Sequence, residues 1–212
     1  MALAVFTILY GSATALAEQH IKRRLAYSTI SNLSYILFGV TLMSADGLCA
    51  ALCHMVFHGV IKITLFFCAG AIICRTGEEY VQRMDGFGRK MPVTFGVFTF
   101  ASAALCGVPL LPGFLSKFRL LGAAVAEGSV PALAGCCALV ISAALTAGYL
   151  FPVAVRAFFP RKKAEPSALT ARCDPGWRMQ APFYILCAAM LYLGMFSGPL
   201  TDTLARIASG TL

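Results

Sequence analysis

The apolar run from Gly47 to Cys74 constrains the fold most, because it is long enough to cross a bilayer yet carries ionisable side chains in its middle. His54, His58 and Lys62 are spaced four residues apart, so on an α-helix they form one shallow stripe with a rise of roughly 6 Å between neighbours. A lysine near the middle of a membrane helix costs at least about 2.5–3.5 kcal/mol and normally faces a bundle interior or a water-filled cavity. The stripe therefore predicts a membrane helix with a transport function.

The composition extends this prediction to the whole chain. Apolar residues make up 59% of the 212 residues and charged residues only 12%, in blocks longer than the core helices of a soluble protein require. The net charge of +8 alone would fit nucleic-acid binding, but no nucleic-acid fold signature occurs, and the basic residues lie mainly between apolar runs, where they orient a membrane protein. The sequence therefore predicts an all-α integral membrane protein that contacts the lipid bilayer and no nucleic acid.

The apolar blocks predict about six transmembrane segments, of which the fourth is a broken helix. Their expected bounds are residues 2–17, 25–43, 47–74, 92–127, 131–159 and 181–200. The first block is expected to remain as a membrane helix, since no basic residues precede it and a charged elbow, not a small-residue cleavage site, follows it. His20, in that elbow, is expected to be a solvated loop residue.

The break in the fourth segment is predicted by its prolines and glycines. Gly107, Pro109, Pro112 and Gly113 place two prolines and two glycines within seven residues, which interrupts a helix. Non-helical backbone at membrane depth is tolerated only where protein buries it or where it lines a water-filled cavity. We therefore expect a cavity beside the break, with Lys117 just past it.

Charge placement decides whether the fourth segment crosses the membrane once or twice. With one crossing, the basic residues outside the expected segments share one side of the membrane, except Arg206. With two crossings, the basic loop after the fifth segment would be translocated, against the bias that governs short loops. One broken crossing is therefore expected. Both termini and the loops at Asp46 and Glu127 are expected outside, and the cytoplasmic loops are those at Lys22, Arg89 and Lys162.

The second segment carries one polar face. Ser28, Ser31, Asn32 and Tyr35 follow the i, i+3, i+4, i+7 spacing that brings residues to the same side of a helix. Membrane helices widely use hydroxyl and amide groups to hold neighbouring helices together, and this is the favoured interpretation. Lining of a hydrated path is the alternative.

The sequence contains few features that indicate a metal site or a redox cofactor. The nine cysteines are an odd number and lie mostly in apolar runs, as small packing residues do. Cys49, Cys53, His54 and His58 are candidate metal ligands, but Cys49 and His58 fall on opposite sides of a helix and no CxxC pair occurs. Ferredoxin-type, Rossmann and Walker motifs are also absent from the sequence. We therefore expect no metal and no cofactor in this chain, and assign any redox reaction to partner subunits.

Four ordered motifs resemble the antiporter-like membrane subunit family. They are IKRRLAYSTIS at residues 21–31, the stripe followed by LFFCAG at residues 65–70, GFGRKMP at residues 86–92, and GVPLLPGFLSK at residues 107–117. That family comprises the proton-pumping subunits of respiratory complex I, the corresponding subunits of membrane-bound hydrogenases, and the large subunits of multisubunit sodium/proton antiporters.

The resemblance implies a domain organisation and a set of site residues. Residues 1–159 correspond to the second five-helix repeat of such a subunit, residues 160–180 to a basic cytoplasmic loop, and residues 181–212 to an additional transmembrane helix and a carboxy-terminal tail. An upstream chain or segment is expected to supply the first repeat. The resemblance further implies that His54, His58 and Lys62 belong to a charged axis along the membrane midplane, and that Lys117 on the broken helix is the terminal exchanging residue.

A proton relay follows from these side chains. Burial favours the neutral amine of a lysine, and histidine titrates near neutral pH, so a proton is expected to pass along Lys62, His58 and His54 through intervening water, with Lys117 exchanging it at the far side. For His58 and Lys62 the alternative is a hydrogen-bonded structural contact. No acidic residue falls within the expected segments, so a protonated lysine is expected to lack a partner in this chain. The isolated chain is therefore not expected to conduct protons.

The leading function is a proton-translocating membrane subunit of a multisubunit oxidoreductase complex, either quinone-reducing or hydrogen-evolving, in the inner (plasma) membrane. A subunit of a multisubunit monovalent cation/proton antiporter is the second hypothesis, and a truncated or split fragment with a structural role is the third. The residues of this chain do not separate the first two. The expected partners are other membrane subunits of a multisubunit complex.

Overall fold

The computed structural model describes residues 1–160 and 173–210, and no β-strand forms in these ranges. The α-helices are α1 (Ala2–Ala17), α2 (Ile21–Thr41), α3 (Ala45–Thr76), α4 (Phe87–Lys90), α5 (Pro92–Cys106), α6 (Pro112–Glu127), α7 (Val130–Phe158), α8 (Trp177–Met195) and α9 (Gly198–Ser209), with a 3-10 turn at Val81–Arg83. The prediction of an all-α membrane fold is confirmed.

Length and hydropathy identify the membrane spans within the described ranges. Helices α3 and α7 are each long and apolar enough to cross a bilayer alone, and α8 with α9 passes the same test as a pair bent by 68°. Helices α1 and α5 are apolar but shorter, and α2 does not pass because one of its faces is polar. Each of the six expected segments is helical, but hydropathy alone identifies at most three of them as spans.

Helix α3 is the longest helix and is fixed at both ends by local sequence. The Ser44 hydroxyl accepts a hydrogen bond from the Gly47 N–H at 3.1 Å, which caps the first turn. Gly77 ends the helix in the left-handed region, at φ 69°, where glycine has no steric penalty. Its 32 residues span about 48 Å, so α3 extends beyond a hydrocarbon core of about 30 Å.

The basic connections meet at one end of the helix bundle. The α1–α2 elbow pairs with the segment after α3, since Ile21 N–H donates to the Glu79 carbonyl at 2.9 Å and Val81 N–H to the Gln19 carbonyl at 3.0 Å. The end of α7 joins them, because Gly86 N–H donates to the Arg156 carbonyl at 3.1 Å. This shared end is the arrangement expected for one broken crossing. Lys162 and the rest of residues 161–172 lie outside the described ranges.

The expectation that His20 is a solvated loop residue is wrong. Its Nε2 atom lies 2.8 Å from a carboxylate oxygen of Glu79, and the His20 side chain is only 17% exposed. The residue sits where the elbow pairs antiparallel with Tyr80. His20 is buried because the α1–α2 elbow contacts the segment after α3. That contact joins residues nearly 60 positions apart in the chain.

The predicted break lies at residues 107–111. Gly107 ends α5 at φ 96°, and the chain turns again at Leu110, whose φ is 72°. Pro112 and Gly113, expected within the break, instead form the first turn of α6, where proline is favoured. A Cβ on Gly113 would lie 1.9 Å from the Ala104 carbonyl oxygen, so only glycine allows α6 to approach α5 this closely.

The carboxy-terminal region differs from the expected transmembrane helix and tail. Helix α8 begins and ends a few residues earlier than expected, and residues 198–209 form the additional helix α9. Leu200, Leu204 and Ala208 of α9 pack against Cys53 and Phe57 of α3. The segment that the sequence predicted to be a tail therefore forms a helix that packs against α3.

Candidate functional site

The four ionisable side chains expected to form the site are all buried. The exposed fraction is 2% for His54, 5% for His58, 5% for Lys62 and 7% for Lys117. Helix α3 carries the first three at a spacing of four residues, and α6 brings Lys117 to the same interior from just past the break. The bundle therefore encloses this stripe and Lys117 together.

Lys117 is held by the carboxy-terminal end of α5. Its Nζ atom donates to the carbonyl oxygens of Leu105 at 2.6 Å and Cys106 at 3.2 Å. The last carbonyls of a helix have no partner within the helix and carry partial negative charge. The break thus gives Lys117 a partner within the chain, which corrects the expectation that this lysine is unpaired.

Lys117 is linked to His54 through two neighbouring side chains. His54 Nδ1 lies 2.9 Å from the Ser116 hydroxyl oxygen, within hydrogen-bond distance. Lys117 Nζ lies 5.7 Å from the centre of the Tyr35 ring, at cation–π range, and the rings of Tyr35 and His54 have centres 5.2 Å apart. Ser116 and Tyr35 therefore bridge the broken helix and the stripe on α3.

The two histidines stack on each other along α3. Their ring centres are 5.8 Å apart and their planes differ by 16°. The Nε2 atoms of both His54 and His58 are buried, and neither has a hydrogen-bond partner among the described residues. Each ring thus presents one nitrogen that is free to accept or donate a proton.

Lys62 is tied to α2 and not to its neighbour in the stripe. Its Nζ atom donates to the Leu25 carbonyl at 2.9 Å, and the Thr29 hydroxyl donates to the same oxygen. Between Lys62 and His58 the described structure contains no hydrogen bond. A proton therefore cannot pass between these two side chains along a direct hydrogen bond.

The polar face of α2 meets a cluster of hydroxyl groups. The Ser31 hydroxyl lies 2.7 Å from that of Ser12 on α1, and the Tyr35 hydroxyl donates to Ser142 of α7 at 2.7 Å. Ser31 also donates to the Ile8 carbonyl at 2.9 Å. These contacts join three helices, as the favoured interpretation of the polar face requires.

The other two residues of that face, Ser28 and Asn32, differ in whether they form hydrogen bonds to another helix. Ser28 accepts a hydrogen bond from the Tyr149 hydroxyl of α7 at 2.5 Å. Among the described residues, Asn32 donates only to the Ser28 carbonyl of its own helix, at 2.8 Å, and its buried Oδ1 atom has no partner. Ser28 thus joins two helices, whereas Asn32 contributes no hydrogen bond between helices.

Several residues of this interior were not singled out in the sequence. Ser116 directly precedes Lys117, and its proximity to that lysine was the one signal available. Ser12, Ser142 and Tyr149 lie in apolar helices, where a single hydroxyl group does not stand out from packing residues. Their partners are far away in the chain, so their roles depend on the fold.

A pocket of about 170 Å³ opens beside the break, as expected. Lys117 lines it together with Cys106 and Gly107 at the end of α5. Phe114, Phe118 and Leu139 are among the apolar residues that complete its wall. The exchanging lysine proposed from the sequence therefore faces both the interior stripe and this pocket.

Metal ligands do not cluster in the described ranges, where no group of three or more histidine, cysteine, aspartate or glutamate side chains is placed to hold an ion. Cys49 and Cys53 instead pack against Phe57 and α9. The ionisable groups that the site does bring together are two lysines and two histidines, side chains that can accept and donate protons.

The family described as "NADH:quinone oxidoreductase/Mrp antiporter, TM" matches residues 1–146. NADH-quinone oxidoreductase subunit N of Desulforudis audaxviator is 32% identical over 97% of this chain and 42% of its own length. NAD(P)H-quinone oxidoreductase chain 4 of Parasynechococcus marenigrum is 31% identical over 96% of this chain and 38% of its own length. The chain therefore spans about two fifths of the length of these curated relatives.

The fold of this chain is also similar to chains of solved membrane complexes. A chain of respiratory complex I from Thermus thermophilus superposes with a TM-score of 0.84 and 27% identity, covering 99% of this chain and 43% of that one. A chain of the Mrp complex from Dietzia sp. superposes with a TM-score of 0.87 at 22% identity, covering 99% of this chain and 46% of its own. The Mrp likeness concerns the fold alone.

Proposed function

The chain belongs to the NADH:quinone oxidoreductase/Mrp antiporter transmembrane family, and on that premise we propose that it is a proton-translocating membrane subunit of a multisubunit oxidoreductase complex. The observation that carries the proposal is the buried line from Lys62 through His58 and His54 to Lys117. Ionisable residues inside membrane bundles are rare and mark ion or proton pathways. The curated relatives named above are subunits of quinone oxidoreductases, which supports the redox complex.

The proposed relay runs along α3 and ends at the broken helix. A proton enters at Lys62 and passes to His58 and then to His54, whose unpartnered Nε2 atoms are the exchanging positions. Ring centres 5.8 Å apart are too far for direct transfer, so water carries the proton between the two histidines. Histidine suits this role because one ring nitrogen can accept a proton while the other donates one.

Lys117 is the proposed exchanging residue at the end of the relay. Ser116 and Tyr35 position it against His54, and the carbonyls of Leu105 and Cys106 stabilise its ammonium form. The adjoining pocket then gives the amine a route for proton release or uptake. Like charges on neighbouring groups repel, so charge on one member of the line disfavours charge on the next.

The organisation of the whole subunit follows the same proposal. Residues 1–159 form one antiporter-like repeat, and residues 181–212 add a membrane segment that packs on it. Partner membrane subunits supply the remaining charged groups, and partner redox subunits carry the electron transfer. The end that bears Lys22 and Arg89 faces the cytoplasm in the inner membrane, consistent with the bias of short basic loops.

The proposed function is tested on the assembled complex in sealed vesicles. Proton translocation that starts with electron transfer and needs no sodium gradient is the expected result. Proton movement that requires a sodium gradient and proceeds without electron transfer would instead assign the chain to a cation/proton antiporter.

A further inference from the structure

A polar cavity lies at the basic end of the bundle and is lined by residues outside the proposed relay. It has a volume of about 240 Å³ and lies between the α1–α2 elbow, the 3-10 turn and the last turns of α7. Its lining residues include two arginines and two glutamines but no carboxylate. They are Leu16, Gln19, Arg24, Val81, Gln82, Gly148, Pro152 and Arg156.

Arg24 is fixed in the wall of this cavity. It is 6% exposed, and its side chain donates from Nε to the Glu18 carbonyl and from NH1 to the Tyr149 carbonyl, both at 2.8 Å. Both partners are neutral backbone groups, so neither offsets the positive charge of the guanidinium. In the described residues its NH2 atom has no hydrogen-bond partner, and it remains available to a ligand.

Arg156 adds a second positive charge to the same cavity. Its side chain makes no hydrogen bond or ion pair with the described residues, and it lies one turn after Pro152 in α7. The Glu18 carboxylate is directed elsewhere, since it accepts hydrogen bonds from the backbone N–H groups of His20 and Gln19, which lower the pKa of Glu18. Two arginines therefore line one cavity, and among the described residues neither guanidinium forms an ion pair with a carboxylate.

An apolar groove continues directly from this cavity. It has a volume of about 310 Å³ and shares Pro152 and Arg156 with the polar cavity. Its other lining residues are Ala147, Phe151, Val155 and Phe159, all on one side of α7 or just past its end. Val155 is 54% exposed and Phe159 is 71% exposed, so the groove opens on the surface of the helix bundle.

We propose that the cavity and the groove together bind one anionic phospholipid. The phosphate group lies between Arg24 and Arg156, with Gln19 and Gln82 as further polar contacts, and an acyl chain lies in the groove along α7. Basic pockets between membrane helices at the cytoplasmic side suit such headgroups. A free anion would use the cavity alone and would leave the groove unexplained, whereas an amphiphile uses both.

The test measures lipid binding to the purified full chain by native mass spectrometry. Phosphatidylglycerol is titrated against the chain in detergent, with phosphatidylcholine as the neutral-headgroup comparison. Arg156→Gln is expected to weaken phosphatidylglycerol binding about fivefold or more, since one basic side chain near an anionic surface contributes about 1 kcal/mol. Arg23→Gln removes the same charge from an exposed position of the same end and is expected to leave binding unchanged.

Two further variants separate lipid from free phosphate and guard against misfolding. Arg156→Lys keeps the charge and is expected to retain binding, whereas Ala147→Phe fills the groove and is expected to weaken lipid binding without changing the cavity. Equal binding of both lipids, or unchanged binding by a folded Arg156→Gln chain, would overturn the proposal. Displacement of the lipid by inorganic phosphate, together with no effect of Ala147→Phe, would show a free-anion site and would also overturn it.

Discussion

The Nζ atom of Lys117 lies 2.6 Å from the carbonyl oxygen of Leu105, so the first half of the broken helix holds the lysine of the second half. Leu105 is in the last turn of α5, where carbonyl groups lack helical partners. The break therefore does more than bend the chain. The end of α5 stabilises a buried amine to which no carboxylate of the described residues is bonded.

Replacement of Lys117 by methionine is expected to reduce proton translocation about 100-fold or more, the range of a lost proton-transfer group. Methionine keeps the length of the side chain but removes the exchanging amine. Lys22→Met removes an exposed lysine at the basic end and serves as the matched control. The measurement is acidification of vesicles that contain the assembled complex. Normal pumping by the Lys117→Met variant would refute the assignment.

Replacement of Ser116 by alanine is expected to slow translocation by up to about tenfold, the effect of one lost hydrogen bond. The change leaves His54 Nδ1 without its partner at 2.9 Å. Ser102→Ala is the control, because Ser102 is equally buried but donates only to the Phe98 carbonyl of its own helix. Equal rates for the two variants would show that Ser116 does not position the histidine.

Asp174 is expected to stabilise the fold by capping α5 from a distant part of the chain. Its carboxylate accepts hydrogen bonds from the Val93 N–H at 3.3 Å and the Thr94 N–H at 3.1 Å, at a helix start that has no cap of its own. Asp174→Ala should lower the free energy of unfolding by about 1 kcal/mol, whereas the exposed Asp202→Ala should change it by less than about 0.5 kcal/mol. Denaturation of both variants in detergent measures the difference, and equal stability would contradict the capping role.

Cysteine labelling in oriented membranes tests the proposed topology. Single cysteines at Lys22, Arg89 and Lys162 are expected to react only from the cytoplasmic side, and cysteines at Asp46 and Glu127 only from the outside. The background is a chain in which the nine natural cysteines are replaced by serine or alanine. External labelling at position 162 would show that the fourth segment crosses the membrane twice.

The isolated chain is expected not to conduct protons in liposomes under a pH gradient. Lys117 has helix-end carbonyls as partners, but Lys62 has only one carbonyl, and the described helices offer no intramembrane carboxylate to either amine. A partner chain or an upstream segment is proposed to supply that group. Collapse of the gradient that depends on Lys62 and Lys117, with no other protein present, would contradict this expectation.

The main elements of the site could be predicted from the sequence because they rest on local rules. The stripe on α3 follows from four-residue spacing in an apolar run, and the break follows from prolines and glycines that cannot continue a helix. The burial of His54, His58 and Lys62 follows from the cost of exposing a charge to lipid. Each of these arguments uses residues within a few helical turns of one another.

The partners of those residues were decided only by the tertiary structure. The contact between His54 and Ser116 joins positions 62 residues apart, the Asp174 cap joins positions 80 apart, and the hydroxyls of Ser12 and Ser142 meet across 130 residues. No local propensity specifies such pairs, since each depends on how helices rotate and pack against one another. Sequence therefore determined which groups enter the membrane interior, and packing determined which atoms they meet there.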